Sequence, residues 1–286
     1  MRISKQFILL MGILILILSG CRLNNSVKPL SSEEKAVDVA YFDVPTIFLH
    51  GAGGGKHSLG GMLNRFTNQE VAQKSLVLTV SKDGVVSEKK ALKDGHFSKD
   101  NPMVQVLFED NRNNEWEQAA WIKAVLVFLQ ENYQVKTVNL VGHSMGGISE
   151  FRYLLQDSTN TTLPKVNKFV AIGSPFNEFL DTFDSQSLDD LLIAGPSQRS
   201  ERFILYENEL DGMPKDVDVL LIAGKLSEND LSDKVVPLSS ALSVNMMLMN
   251  NGNNVEHVII TGADHSGLHE NKEVDEKVSH FLWYKN

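Results

Sequence analysis

The sequence predicts an α/β fold, in which a mainly parallel sheet is covered by helices on both faces. Short apolar runs alternate with longer mixed segments, a pattern typical of βαβ units. Several of these runs are unbroken stretches of Val, Ile and Leu, as expected for strands that are buried on both faces. The length of 286 residues fits one such domain with short additions.

The individual elements follow from the period and position of these runs. Six predicted strands form the parallel sheet: Pro45–His50, Met103–Phe108, Thr137–Val141, Lys168–Ile172, Val217–Ile222 and His257–Thr261. A predicted hairpin joins Leu76–Val80 to Val85–Val86. Four predicted helices have apolar residues at helical spacing or follow a strand directly: Asn114–Gln130, Met145–Gln156, Pro237–Asn250 and Lys272–Tyr284.

Residues 177–215 fit the alternation poorly and are predicted to be a small cap insertion between two strands. Insertions at strand ends often cover the site of an α/β enzyme. A plain surface excursion explains the same composition equally well.

The composition excludes some classes of partner. The formal net charge is −9, so no basic footprint for nucleic acid is present. The same charge disfavours anionic substrates and opposes contact with anionic lipid headgroups. Attachment to a membrane therefore needs another cause.

The first 21 residues supply such a cause. Arg2 and Lys5 precede an apolar run over Phe7–Leu18, which is too short for a comfortable membrane span and is typical of a signal peptide. The run ends in Leu-Ser-Gly-Cys, which resembles the lipobox of bacterial lipoproteins. The resemblance implies a lipid on Cys21, the sole cysteine, and attachment to the extracellular face of the cell membrane. An uncleaved anchor helix is the alternative.

The chain after Cys21 is predicted to consist of two parts. Residues 22–40 are polar and are expected to form a tether. Residues 41–286 are expected to form the catalytic domain.

The strongest functional signal is a serine between a predicted strand and a predicted helix. Gly142–Gly147 contains the pattern G-x-S-x-G with Ser144 at its centre. This pattern is typical of the nucleophile turn of α/β-hydrolases, where flanking glycines permit a sharp reversal. The sequence therefore predicts an α/β-hydrolase fold with Ser144 as the nucleophile.

A second glycine-rich segment follows the first predicted strand. His50–Gly55 is typical of the loop that supplies an N–H group to an oxyanion. We expect the amides of Ala52 and Met145 to form the oxyanion hole, and His50 to brace the loop by a hydrogen bond. A phosphate-binding loop is the alternative, but the Lys-Ser/Thr ending of a P-loop is absent.

A serine nucleophile needs a base and an orienting carboxylate, which in this fold follow in the order acid, then histidine. Asp233 precedes a Val-Pro turn after a late strand and is favoured as the acid over Asp230. His265 follows the last strand and is favoured as the base over His269. These two histidines could also suggest a metal site, but no third ligand is evident.

His143 and a group of apolar residues carry weaker expectations. The side chain of His143 should point away from Ser144 along the turn. Phe176, Phe179, Leu180 and Phe183 follow a strand and either line an acyl pocket or belong to the core.

Six segments together are similar to a family of bacterial α/β-hydrolases: Thr46–Gly55, Asn101–Asn111, Asn139–Gly147, Ala171–Asn177, Asp233–Pro237 and His265–Asn271. The resemblance covers about residues 40 to 285. The family comprises secreted or cell-surface proteins of low-GC Gram-positive bacteria and was once grouped as a domain of unknown function. The resemblance implies a triad of Ser144, Asp233 and His265. Relatives tend to have Asp-Gly in the acid motif, whereas this chain has Asp233-Lys234.

The sequence therefore predicts a serine hydrolase that cleaves a small-molecule or lipid ester through an acyl-enzyme, with no metal or organic cofactor. Acyl transfer to an alcohol or amine would use the same residues. A silent surface binding protein on the same scaffold is a further alternative, because a fold does not determine a function. A solute-binding lipoprotein is disfavoured, because two similar lobes are absent.

Overall fold

The computed structural model describes residues 39–285, and in this part of the chain it forms an eight-stranded sheet with helices on both faces. The strands are β1 (Thr46–Leu49), β2 (Gln73–Val80), β3 (Val86–Lys90), β4 (Pro102–Phe108), β5 (Thr137–His143), β6 (Lys165–Ile172), β7 (Asp218–Lys225) and β8 (Val255–Thr261). Their order is β3-β2-β4-β1-β5-β6-β7-β8. Only the β2–β3 hairpin is antiparallel among these neighbours. The predicted fold class is confirmed.

The helices of the described chain are α1 (Gly60–Asn68), α2 (Glu115–Tyr133), α3 (Met145–Gln156), α4 (Leu188–Ala194), α5 (Glu201–Glu209), α6 (Leu238–Ala241), α7 (Asn245–Asn251) and α8 (Lys272–Trp283). None of the helices in residues 39–285 has the length and apolar content that a membrane span requires. Cys21, the predicted signal peptide over residues 1–21 and nearly all of the predicted tether over residues 22–40 lie outside the described residues.

Two apolar layers hold the helices against the sheet. One layer packs α2 and α3 against one face, and Leu140 of β5 and Ile148 of α3 are fully buried there. The other packs α1 and α8 against the opposite face, with Phe48 and Phe66 at its centre. Full burial of each such side chain contributes about 1.5–3 kcal/mol to folding, so the layers fix the helices that flank the carboxyl edge of the sheet.

The predicted helix over Pro237–Asn250 was wrong as one element, because the chain forms the two short helices α6 and α7. Serine side chains supply the reason. Ser240 Oγ donates to the backbone oxygen of Glu178 and accepts from the amide of Asn177, and Ser243 Oγ donates to the oxygen of Ser240. The Ser243 hydroxyl thus competes with a helical hydrogen bond to the oxygen of Ser240, whereas the Ser240 hydroxyl ties α6 to the backbone of residues 177 and 178.

Three helices were not predicted. Helix α1 begins with Gly60 and Gly61, which have low helix propensity, and it is stabilised instead by burial of Met62, Leu63 and Phe66. Helices α4 and α5 lie within the predicted insertion. Arg202 of α5 bonds at 2.6 Å to Glu115 at the start of α2, which ties the insertion to the domain. The role of residues 177–215 as a cap stays a prediction.

Candidate active site

Ser144 stands at the tip of the turn between β5 and α3. Its backbone has φ 55° and ψ −122°, a strained conformation for a residue with a side chain. The amide of Ser144 donates to the carbonyl oxygen of Ile172 at 2.9 Å, which ties the turn to the end of β6. The side chain is half-buried, so the strained turn presents a hydroxyl at the carboxyl edge of the sheet.

The glycine loop after β1 lies directly against this turn. A Cβ at Gly51 would be 2.9 Å from the Cβ of Ser144, so the close approach requires glycine. Among the described residues, the amides of Ala52 and Met145 have no hydrogen-bond partner. Both amides belong to segments that border Ser144, and both remain available as donors.

His50 braces the glycine loop, as expected. Its Nδ1 donates to the oxygen of Gly51 at 2.9 Å, and its Nε2 accepts from the amide of Phe108 at 3.2 Å. Burial lowers the pKa of His50, and its bond to Gly51 only partly opposes this effect. A neutral His50 fits both hydrogen bonds, because one ring nitrogen donates and the other accepts.

Asn111 is a further support for the loop, and sequence reasoning assigned it no role. Its backbone oxygen accepts from the amide of Gly53 at 2.8 Å, and its side-chain amide donates to the oxygen of Gly54 at 2.7 Å. An asparagine three residues after the carboxyl end of β4 is the signal that could have indicated this role.

Asp233 and His265 are joined through both side chain and backbone. His265 Nδ1 donates to Asp233 Oδ2 at 2.7 Å, and the His265 amide donates to the Asp233 backbone oxygen at 2.8 Å. The other carboxylate oxygen accepts from the amides of Val235 and Val236. Within residues 39–285, nothing bonds to His265 Nε2, the ring nitrogen that could accept a proton.

This pair lies beside the strand that anchors the serine turn. Gly173 directly follows Ile172 and has φ +56°, a conformation that favours glycine. A Cβ at Gly173 would be 3.1 Å from Asp233 Oδ2 and 3.4 Å from His265 Nδ1. The end of β6 therefore contacts the Asp233–His265 pair and the Ser144 turn at once.

His143 links the two parts of the site, and the expectation that it points away along the turn missed this contact. It is buried beneath the turn, and its Nε2 donates to the backbone oxygen of His265 at 2.9 Å. Burial lowers the pKa of His143 well below its ordinary value, and the neighbouring His265 and His269 lower it further. A neutral imidazole therefore supports the loop that carries His265. The two partners are 122 positions apart in the sequence, and no local pattern indicated their contact.

The rival acid and the rival base have other partners. Asp230 accepts from Ser232 Oγ at 2.7 Å on an exposed loop. His269 Nδ1 lies 3.2 Å from Glu270 Oε1, and burial lowers the pKa of His269. Although the His143 ring lies within 5 Å of both His265 and His269, no group of His, Cys, Asp and Glu in the described chain is arranged to hold a metal ion.

The backbone at Lys234 shows how the acid motif accommodates lysine in place of glycine. Its backbone has φ +74°, in the left-handed region that favours glycine. Its ammonium lies 3.4 Å from Asp264 Oδ2, and both groups are largely exposed. The lysine thus keeps the backbone shape that glycine would adopt there.

The four residues offered for an acyl pocket do not share one environment. Phe176 is fully buried and packs edge-on against Phe151 and Tyr206, so it belongs to the core. Phe179 is 63% exposed. Phe183 is half-buried against the core, and Leu180 is half-buried.

The comparisons with known proteins agree with this architecture. Residues 33–285 match the model of a family described as alpha/beta hydrolase of unknown function (DUF915). The product of the gene lin2722 from Listeria innocua is 29% identical, with a TM-score of 0.76 over 84% of this chain and 93% of that one. A proposed cell surface hydrolase from Lactobacillus plantarum is 20% identical, with a TM-score of 0.65 over 84% of this chain and 89% of that one. No curated protein matches the chain.

Proposed function

We propose that this chain, which belongs to the family of alpha/beta hydrolases of unknown function, is a serine hydrolase that cleaves carboxylic esters. The observation that carries the proposal is the Asp233–His265 pair beside the strained Ser144 turn. A strained serine at a strand-to-helix turn and a histidine held by a buried carboxylate are the two parts that activate a serine hydroxyl.

In the proposed mechanism, Ser144 Oγ attacks the ester carbonyl carbon while His265 Nε2 takes the hydroxyl proton. Asp233 holds His265 in the tautomer that leaves Nε2 free, and it stabilises the imidazolium that forms. The carbonyl π electrons move to oxygen, and the amides of Ala52 and Met145 stabilise the resulting oxyanion. Each such donor contributes about 3–4 kcal/mol in the transition state.

The acyl-enzyme then forms and breaks down. The tetrahedral intermediate expels the alcohol, which takes the proton from His265. Water next attacks the acyl carbon and gives one proton to His265. The bond from the acyl carbon to Ser144 Oγ then breaks, His265 returns the proton to Ser144 Oγ, and the carboxylic acid is released. An alcohol in place of water would give acyl transfer, so a product analysis in mixed alcohol and water separates the two outcomes.

Labelling by a fluorophosphonate probe tests the activated serine. We expect the wild-type protein to be labelled, Ser144→Ala to be unlabelled, and His265→Ala to be labelled at least about a thousandfold more slowly, because the base is lost. Ser197→Ala and His257→Ala alter exposed residues away from the turn and should be labelled like wild type. An ester panel of increasing chain length then defines the substrate.

A folded wild-type protein that resists the probe and hydrolyses no ester would refute the proposal. It would favour a surface binding protein on a hydrolase scaffold.

We further propose that a lipid on Cys21 holds the enzyme on the extracellular face of the cell membrane. The support is the signal-peptide pattern that ends in Leu-Ser-Gly-Cys. Cells grown with a palmitate analogue should label the wild-type protein and leave Cys21→Ser unlabelled. Equal labelling of both proteins would contradict the lipid anchor.

A further inference from the structure

A cleft of about 1000 Å³ opens on the sheet face that carries α1. Its floor includes Val77 and Thr79 of β2 and Leu107 of β4, which lie on one face because Thr79 pairs with Leu107 in the parallel register. The N-terminal end of α1 and the strand β3 form its sides. We call this feature the lysine cleft, after its lining residues Lys56, Lys74, Lys89 and Lys90.

The lysine cleft concentrates positive charge on a protein whose formal net charge is −9. None of its four lysines forms an ion pair with a carboxylate in the described chain, whereas five other lysines there do. Partial burial of Lys74, together with the nearby charges of Lys56 and Lys90, lowers its pKa. The Lys90 ammonium donates to the backbone oxygen of Lys74, so the fold brings like charges together with a carbonyl partner and no carboxylate partner.

Two acidic residues at or near the cleft have other partners. Glu270 lines the cleft, and its carboxylate bonds to Arg65 at 2.7 Å and lies 3.2 Å from His269 Nδ1. Glu88 of β3 accepts a hydrogen bond from Tyr133 of α2, which packs on the opposite face of the sheet. Neither carboxylate forms an ion pair with a lysine of the cleft.

The first turn of α1 borders the cleft, and Gly60 and Gly61 line it. A Cβ at Gly61 would lie 2.6 Å from Glu270 Oε2, so the Glu270 carboxylate packs against this helix N-terminus and offsets the positive end of its dipole. The lysines are therefore the source of positive charge in the cleft.

We propose that the lysine cleft is a binding site for a ligand that carries several phosphate groups. Lysine ammonium groups bind phosphate as point charges, and each presents three N–H donors. Four lysines line one cleft, so several phosphate groups of one ligand can be bound at once. The volume exceeds the size of a single phosphate and suits an extended ligand.

The cleft adjoins the candidate active site through two segments. Lys56 follows Gly55 of the glycine loop, and Glu270 ends the turn that begins two residues after His265. The Lys56 backbone oxygen accepts from Gln105 Nε2 at 2.8 Å, which fixes this end of the cleft to β4. The cleft therefore shares two chain segments with the candidate active site, and the proposal for the cleft does not depend on the serine mechanism.

Isothermal titration calorimetry with tripolyphosphate tests the proposal, with inorganic phosphate as the single-group probe. Use of the Ser144→Ala protein in parallel makes the result independent of hydrolysis. We expect tripolyphosphate to bind, phosphate to bind more weakly, and the affinity for tripolyphosphate to fall as salt rises. The double variant Lys56→Gln with Lys74→Gln should weaken binding about tenfold or more, because two charged donors are removed.

The matched control is Lys82→Gln with Lys165→Gln, which removes the same charge from exposed lysines outside the cleft and should change the dissociation constant less than about twofold. Lys89→Gln with Lys90→Gln alters only β3 and should weaken binding as the first pair does. The Lys74→Gln variant should unfold no earlier than wild type, because it removes a partly buried charge.

Vesicles distinguish the two sources of phosphate. Displacement of tripolyphosphate by phosphatidylglycerol vesicles, but not by phosphatidylcholine vesicles, would assign the phosphate to a lipid headgroup. Binding without displacement would assign it to a soluble ligand. Absence of tripolyphosphate binding to wild type, or equal weakening by the cleft and control variants, would overturn the proposal.

Discussion

Two buried carboxyl groups lie close to the Ser144 turn, and their surroundings are opposite. Asp233 is 1% exposed and accepts hydrogen bonds from two backbone amides and from His265. Glu150 of α3 is fully buried, and neither of its carboxyl oxygens has a partner in the described chain. A Cβ at Gly142 would lie 2.5 Å from Glu150 Oε2, so this carboxyl packs against the same turn.

The difference shows that burial alone does not determine the chemical role of a carboxyl group, because its hydrogen-bond donors also matter. Three donors satisfy Asp233, which can then orient an imidazole and stabilise its positive charge. Burial without donors raises the pKa of Glu150 well above its ordinary value and favours the neutral acid. Only the first group can act electrostatically on the histidine.

Replacement of Asp233 has the largest expected effect, because Asp233 is the carboxyl group that contacts His265. Asp233→Asn keeps the shape, but its amide donates to Nδ1 and favours the wrong imidazole tautomer. If the proposed triad acts, we expect kcat/KM on an activated ester to fall about 10⁴-fold, as the same change does in the triad of serine proteases. The matched control is Asp230→Asn on the exposed loop, which should stay within about threefold of wild type. A larger loss in the Asp230 variant would assign the acid there instead.

Replacement of Glu150 tests the buried carboxyl group that has no hydrogen-bond donors. The folded-state pKa lies above the unfolded value of about 4.3, so the unfolded chain releases the proton first as pH rises. Stability should therefore fall above about pH 4.3, by up to about 1.4 kcal/mol per pH unit, until the folded-state pKa is reached. Glu150→Gln removes this loss, so its stabilisation relative to wild type should grow as pH rises above about 4.3, until the folded-state pKa is reached.

Urea denaturation at several pH values measures this effect. Glu117→Gln on the exposed side of α2 is the control and should show no such trend. A Glu150→Gln protein whose free energy of unfolding parallels that of wild type at every pH would show that the group ionises equally in both states.

The smallest expected effect concerns the backbone beside Asp233. Lys234→Gly relieves a left-handed conformation that costs other residues about 1–2 kcal/mol, offset by about 0.5–1 kcal/mol of added chain entropy. We expect a gain of about 0.5 kcal/mol in the free energy of unfolding and no change in activity. Lys234→Ala keeps the strain but loses the contact with Asp264, and should lose a few tenths of a kcal/mol. A less stable glycine variant would contradict the strain argument.

Local pattern predicted most of the sheet and the long helices. Unbroken apolar runs indicated β1, β4, β5 and β6 within a few residues, because strands buried on both faces need apolar side chains throughout. Helix α3 was predicted with its bounds, because it follows the Ser144 turn directly. Helix α1 escaped prediction, because packing stabilises it against the low propensity of its glycines.

The sequence by itself determined the fold class, the serine turn and the order in which an acid and a histidine follow it. These are properties of neighbouring residues, and short-range sterics and apolar burial govern them. Only the tertiary structure decided which acid meets which histidine, that His143 holds the loop of His265, and that Glu150 lies buried without donors. It also gathered lysines from three segments into one cleft on an acidic protein. Such pairings depend on crossovers that bring distant strand ends to one edge of the sheet, and residue spacing along the chain does not encode them.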